Sequence, residues 1–214
     1  MTVRSFTCNP FQTNGYLVDA DGEVVVIDPS CMTDEEINHV VRLVEIAGGA
    51  LTAILLTHAH IDHIFGVQAL VDRYGVDVHV HGADEPLLSR AAEQAALFGM
   101  DLTEPRGPFT PLVPGVPLRV GDRTWDVLHT PGHSPGSVTF VDQTERMAFS
   151  GDVLFMDSIG RTDLWQGSLP ILMESIFQQL APLGSDMQIF PGHGDVTTVG
   201  RELAMNPFLT DSAA

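Results

Sequence analysis

Residues 57–63 read Thr-His-Ala-His-Ile-Asp-His, which crowds His58, His60, Asp62 and His63 into a segment about one turn long. The apolar run before them, 51–56, reads as a buried strand. Imidazole and carboxylate are the ligand types that hold zinc, iron and manganese. A strand that ends in such a cluster presents its ligands from a rigid edge. The chain is therefore expected to fold around a metal centre, and around two ions rather than one.

The flanking sequence indicates the scaffold. Segments 2–7, 15–20 and 23–28 read as strands, the last two joined by a turn at Asp21-Gly22. A helix is expected over 33–47, with Thr33 as N-cap, Glu36 in capping-box position and Gly48-Gly49 as the stop. Further helices are expected near 65–74 and 85–98, with a strand at 77–80 between them. Residues 99–117 contain Pro105, Pro108, Pro111, Pro114 and Pro117 and read as a long surface loop without regular structure. Strands follow near 123–129, 137–141 and 147–149, then a helix near 169–180, a strand at 187–190 and a helix near 199–205. In both halves strands come first, followed by mixed strand and helix. That order implies an α/β fold of two sheets packed face to face with helices outside, in a single domain over 1–214.

Three more candidate ligands follow strands in the second half. His133 lies in Thr130-Pro131-Gly132-His133-Ser134-Pro135-Gly136, Asp152 in Ser150-Gly151-Asp152, and His193 in Pro191-Gly192-His193-Gly194. Glycine beside each allows the backbone turn that aims a side chain into a cleft. Other candidates carry less. His79 and His81 share one face of a strand with no carboxylate spaced to complete a site, and His39 and His129 read as structural. Cys8 and Cys31 show no metal-type spacing and read as reduced thiols.

Charge and hydropathy narrow the partners. The net charge is −18 and all ten basic residues are arginine. Such a field repels nucleic acid phosphates and argues against a nuclease. No apolar run approaches the ~20 residues that span a bilayer, and no signal-peptide core follows Met1. The expectation is a cytoplasmic protein, monomer or small homo-oligomer, with neither membrane nor nucleic acid as partner.

The ordered set, H-x-H-x-D-H followed by a Gly-His, a Gly-Asp and a last Gly-His, resembles the metallo-β-lactamase superfamily of hydrolases over nearly the whole chain. The resemblance implies a four-layer αββα sandwich of two mixed sheets with outer helices. It implies that His58, His60 and His133 hold one metal, that Asp62, His63 and His193 hold a second, and that Asp152 bridges both. Seven ligands are indeed too many for one tetrahedral zinc and suit two divalent ions. Zinc is the foremost expectation, with iron or manganese as alternatives. Asp62 is also implied to orient the metal-bound hydroxide that attacks substrate.

Finer segments narrow the resemblance. Asn9-Pro10-Phe11-Gln12-Thr13-Asn14, Ser158-Ile159-Gly160-Arg161-Thr162-Asp163 and Asn206-Pro207-Phe208-Leu209 are similar to the short bacterial glyoxalase II branch. Those proteins resemble hydroxyacylglutathione hydrolase, a thioesterase, but lack its C-terminal helical domain. His193 stands so late that no such domain is expected after it. The longer enzymes grip glutathione through cationic residues of that domain and carry a Gly-Lys-aromatic-Tyr segment where this chain has Gly160-Arg161-Thr162-Asp163. The implied substrate is S-2-hydroxyacylglutathione or a related small-molecule thioester. Arg161 is placed to clamp a carboxylate, Asp163 and Trp165 are further substrate contacts, and Phe155 is a weaker one.

Rival readings share the same ligands. A persulfide dioxygenase, a relative that also carries Gly-Arg-Thr-Asp, would use one iron on His58, His133 and Asp152. Lactone or β-lactam hydrolysis would direct the same attack at another activated carbonyl. A non-enzymatic metal-binding module would have no need of the bridging Asp152.

Overall fold

The computed structural model describes residues 1–48 and 50–210. Strands β1 (Thr2–Cys8), β2 (Thr13–Ala20), β3 (Glu23–Ile27), β4 (Ala50–Leu55), β5 (Asp77–His81) and β6 (Phe109–Leu112) form one sheet in chain order. It is mixed: β1 to β3 pair antiparallel and β3 to β6 parallel. A second mixed sheet holds β7 (Leu118–Val120), β8 (Arg123–His129), β9 (Val138–Asp142) and β10 (Met147–Gly151). After a small hairpin of β11 (Leu154–Phe155) and β12 (Ser158–Ile159), β13 (Gln188–Pro191) and β14 (Thr197–Thr198) complete it, with β13 parallel to β10. The helices are α1 (Asp34–Ala47), α2 (Ile61–Ile64), α3 (Val67–Tyr74), α4 (Glu85–Leu88), α5 (Ala91–Leu97), α6 (Leu169–Ser175), α7 (Val199–Met205) and α8 (Pro207–Thr210).

Strand alternation builds the layers. In β3, Val24 and Val26 enter one core while Val25 and Ile27 enter another, because successive side chains leave a strand on opposite faces. The first core receives Val40 and Val44 of α1 and Leu70 of α3. The second lies between the sheets, where Tyr16, Val18 and Ile27 meet Trp125, Phe140 and Phe149. A third, with Leu172 of α6 and Val199 of α7, covers the far face of the second sheet. Helix, sheet, sheet and helix thus stack as expected from the order of elements. Strands buried on both faces read as near-continuous apolar runs, which is why they were legible. No helix among the described residues is long and apolar enough to cross a membrane.

Two expectations need correction. Part of the proline-rich segment is regular, since Phe109–Leu112 pairs parallel with β5 and sets Pro111 opposite Val80. Being the edge strand, β6 carries a proline without losing a ladder bond on its open side. The helix expected over 85–98 is broken into α4 and α5 at Ser89-Arg90. At the break the Leu87 carbonyl accepts from the Arg90 N–H at 3.3 Å and from Gln94 Nε2 at 2.7 Å, in place of the N–H four residues on. The expected 169–180 helix keeps its span, but Ile176–Leu180 winds as a wider π turn.

The start of α1 follows its capping signature. Thr33 Oγ1 accepts from Glu36 N at 3.3 Å, and Glu36 Oε2 accepts from the N–H groups of Thr33 and Met32 at 2.8 Å each. Gly48 closes the helix at φ 72°, while Gly49 lies outside the described residues. Glu36 reaches further, for its Oε1 accepts from Asn9 N at 2.8 Å. Burial opposes its charge, yet the amides of Thr33, Asn9 and Met32 outweigh burial and hold the carboxyl below its ordinary 4.5. Glu36→Ala is expected to cost about 1–2 kcal/mol at neutral pH. A depressed folded-state value means the unfolded chain binds the proton more readily, so this contribution is lost as pH falls. Urea unfolding should show the gap between wild type and variant narrowing below 4.5; a gap constant with pH would contradict the charge argument.

Candidate metal centre

The clustered motif occupies a strand end, an extended link and one helical turn. β4 stops at Leu55, His58 follows three residues later, His60 caps α2 in extended conformation, and α2 carries Asp62 and His63. Leu56, Ala59 and Ile64 between them are buried in the first core, which anchors the loop. The other ligands arrive from the second sheet. His133 lies on the β8–β9 loop, Asp152 just past β10 and His193 just past β13. Gly132 has φ +127°, and a Cβ there would sit 2.3 Å from the backbone nitrogen of Leu172, so only glycine fits this approach.

All seven sequence-predicted ligands converge. His133 Nε2 lies 2.8 Å from His60 Nδ1 and 3.2 Å from His58 Nε2. His63 Nε2 lies 3.4 Å from Asp62 Oδ2 and 3.3 Å from Asp152 Oδ1. His193 Nε2 lies 3.3 Å from Asp62 Oδ2 and 3.4 Å from Asp152 Oδ2. Asp152 also reaches the first group, with Oδ2 3.5 Å from His133 Nε2. Six of the seven form two three-ligand clusters, His58-His60-His133 and Asp62-His63-His193, each with donor atoms within 4.8 Å of one another; among the described residues Asp28, His58 and His63 meet the same distance.

Outer hydrogen bonds decide what these rings offer. The Arg161 carbonyl can only accept, so His133 Nδ1 at 2.8 Å carries the proton and Nε2 keeps a lone pair. Thr57 Oγ1 donates to Asp28 Oδ2 at 2.6 Å, which leaves it to accept from His58 Nδ1 at 3.1 Å. Asp28 Oδ2 also accepts from His63 Nδ1 at 2.9 Å. The Nε2 lone pairs of His58 and His133 therefore face one another, and that of His63 faces two carboxylates. A shared cation relieves both arrangements. Consistent with this, His63 Nε2 and Asp152 Oδ1 are buried without hydrogen-bond partners. The donor set fits divalent ions.

The two halves differ electrostatically. Burial, with His63, His133 and His60 nearby, pushes His58 well below its ordinary range, and burial with His133 brings His60 to about 3. Neutral imidazole is the metal-binding form. Burial opposes charge in the other half too, but partners outweigh it there. His63 and His193 hold Asp62 at about 2 and Asp152 well below the usual carboxylate range. In return Asp62, Asp152 and Asp28 hold His63 well above its ordinary value, and Asp152 and Asp62 raise His193 to about 10. Protons and a divalent ion compete for the same lone pairs there, so metal uptake by this half releases protons.

Sequence reasoning missed the groups that brace the ligands. Asp28, at the end of β3 with φ +47°, accepts from Thr57 N at 2.8 Å as well as from Thr57 Oγ1 and His63. Its place straight after a buried strand parallels that of Asp152, and this was a readable signal. Asp84 gave none. It accepts from Ala59 N at 2.9 Å, Ser134 Oγ at 2.8 Å and Gly136 N at 2.6 Å, and so ties the two ligand loops together across the sheets. Thr13 Oγ1 donates to Asp62 Oδ2 at 2.8 Å, and Asn9 Nδ2 donates to the Asp62 carbonyl at 2.9 Å.

The proposed substrate contacts fall unevenly. His60, Asp62, His133, Asp152 and His193 floor a cavity of about 300 Å³ that Arg161 and Trp165 also line. The Arg161 guanidinium is already paired with Asp163, Nε to Oδ1 and Nη2 to Oδ2, both at 2.7 Å. Phe155 stands edge-on to the His193 ring at 5.9 Å instead of lining the cavity. His81 stacks on His129 at 4.5 Å, and His79 and His81 enter neither cluster.

Layer order, ligand set and loop placement together define a metal-dependent hydrolase scaffold. Residues 8–193 match the family model described as the metallo-beta-lactamase superfamily, and the chain belongs to that superfamily. Hydroxyacylglutathione hydrolase GloC of Haemophilus influenzae is 34% identical over 218 residues, covering 100% of both chains. The crystal structure of the BLEG-1 B3 metallo-beta-lactamase shares 38% identity at a TM-score of 0.89, covering 98% of this chain and 100% of that one. TTHA1623, crystallised in a di-iron-bound form, shares 39% identity at a TM-score of 0.87, covering 96% and 100%.

Proposed function

We propose that this chain is a binuclear metal-dependent thioester hydrolase of the glyoxalase II type, acting on S-2-hydroxyacylglutathione or a related small-molecule thioester. The observation that carries the binuclear reading is Asp152, whose carboxylate reaches His133 on one side and His63 and His193 on the other. His58, His60 and His133 would hold one ion, Asp62, His63 and His193 the other, and Asp152 both. Zinc suits the donor set first, and iron or manganese suit it as well. When bound, such ions lower the pKa of water from 15.7 to about 7 and polarise a carbonyl.

The chain's own residues do the positioning. Thr13 fixes the Asp62 carboxylate through Oδ2. Ionised and lining the cavity, Asp62 is placed to accept a hydrogen bond from the attacking water and so orient it. Beyond the ligands, the polar side chains lining the cavity are Gln94 and the paired Arg161, neither of them a general acid. Such a wall favours a leaving group that can depart unprotonated. A thiolate, with a pKa of about 8.5, does so readily, whereas an amine or alkoxide does not. The likeness to a hydroxyacylglutathione hydrolase supports the same choice.

Elemental analysis coupled to a thiol-release assay tests the reading. The expected outcome is two ions per chain and thioester turnover that a chelator removes by at least about 100-fold. Oxygen consumption with glutathione persulfide, in place of thiol release from thioesters, would instead identify a dioxygenase.

A further inference from the structure

The cavity walls are unlike what an anionic substrate arm needs. Apart from the ligand histidines, Arg161 is the one cation lining the cavity among the described residues. Asp163 already occupies the Nε–Nη2 edge of its guanidinium, with both bonds at 2.7 Å, and balances its charge. A substrate carboxylate would meet a guanidinium whose charge Asp163 already balances, with little net gain at so exposed a site. Gln94 is committed as well, since its Nε2 donates to the Leu87 carbonyl at 2.7 Å. The net charge of −18 adds repulsion at longer range.

The remaining wall is apolar and open. Leu97 is 84% exposed, Phe98 47% and Trp165 41%, and all three line this cavity. Scattered exposed apolar residues are ordinary, but their convergence on one cavity marks a surface that a ligand covers. Phe98 is held in place, edge-to-face with Phe11 at 5.3 Å. Leu97 and Phe98 belong to the end of α5 and Trp165 to the loop after β12, so an arm leaving the ligand cluster would pass between two apolar walls.

We propose that, resting on the thioester reading above, the site selects thioesters whose thiol carrier is apolar and uncharged, and disfavours the dicarboxylate arm of glutathione. The test uses two lactoyl thioesters that differ only in carrier: S-lactoylglutathione and the lactoyl thioester of N-hexanoylcysteamine. The metal-loaded protein is expected to show kcat/KM about tenfold or more higher on the uncharged carrier. Asp163→Asn, which loosens the hold on Arg161, is expected to shift the ratio toward glutathione by about fivefold, mainly through KM and more strongly at low salt. Trp165→Ala is expected to shift kcat/KM against the uncharged carrier more than against glutathione. Equal or better turnover of S-lactoylglutathione by the wild type would overturn the proposal, as would a ratio unmoved in Asp163→Asn. Turnover of neither compound by fully metallated protein would overturn the thioester reading itself, whereas turnover of both with glutathione preferred would overturn only the carrier selection.

Discussion

An Asp152→Ala protein is expected to hold one ion per chain instead of two and to lose turnover by more than about 100-fold, beyond the 10–100-fold typical when a group that only orients a ligand is removed. The expectation rests on where Asp152 stands. It follows Gly151, at φ +52°, at the end of β10, and its two oxygens reach His63, His133 and His193 at 3.3–3.5 Å. Oδ1 is buried without a hydrogen-bond partner and faces His63 Nε2 at 3.3 Å, surroundings that suit a cation shared with that ring. The backbone is held independently, through the Gly192 N–H donating to the Gly151 carbonyl at 2.8 Å, and alanine should leave the strand end intact. Elemental analysis and turnover are read on one preparation, with circular dichroism to check the fold. Two ions and undiminished hydrolysis would remove Asp152 from the bridging position.

Asp28→Asn should be nearly as damaging without touching a proposed ligand. Asparagine tolerates the φ of +47° at this position, so the turn survives. Its amide oxygen can still accept from Thr57 N, which places the amide nitrogen where Oδ2 now receives Thr57 Oγ1 and His63 Nδ1. An amide donates there, so His63 must turn Nδ1 into the acceptor and move its proton to Nε2, the atom that faces Asp62 and Asp152. The imidazole then presents a hydrogen to the ion. Metal affinity of the carboxylate-bearing half is expected to fall about 10–100-fold, with turnover falling alongside. Metal titration measures the first, and nitrogen-15 shifts of the His63 ring report the tautomer. Wild-type affinity with an unchanged tautomer would refute this account of Asp28.

These two residues were not equally readable. Asp152 stood out because a Gly-Asp pair follows a short apolar strand, in line with the other donors. Asp28 occupies an equivalent place after Val24, Val25, Val26 and Ile27, yet no glycine stands beside it to raise suspicion. Arg161 was legible as a cation near the site but not as a committed one. Its partner Asp163 stands two residues away, and whether such neighbours pair depends on the loop conformation. The proline-rich segment misled for a related reason. Proline forbids a central strand but not an edge strand, and edge position is a property of the whole sheet.

The chain's sequence by itself determined the ligand types, their order, the alternation that stacks two sheets between helices, and the capping of α1. Each of these is written locally, in runs of adjacent or periodic residues. The tertiary structure alone decided which lone pairs face a common point, which carboxylates brace them, and that the cavity wall is apolar with its arginine already paired. Those outcomes depend on contacts between residues far apart in the chain, such as Asp28 with Thr57 across 29 positions and Asp84 with Gly136 across 52. Local periodicity shows which face of an element is buried, but which segments meet there is set only when the two sheets close on one another.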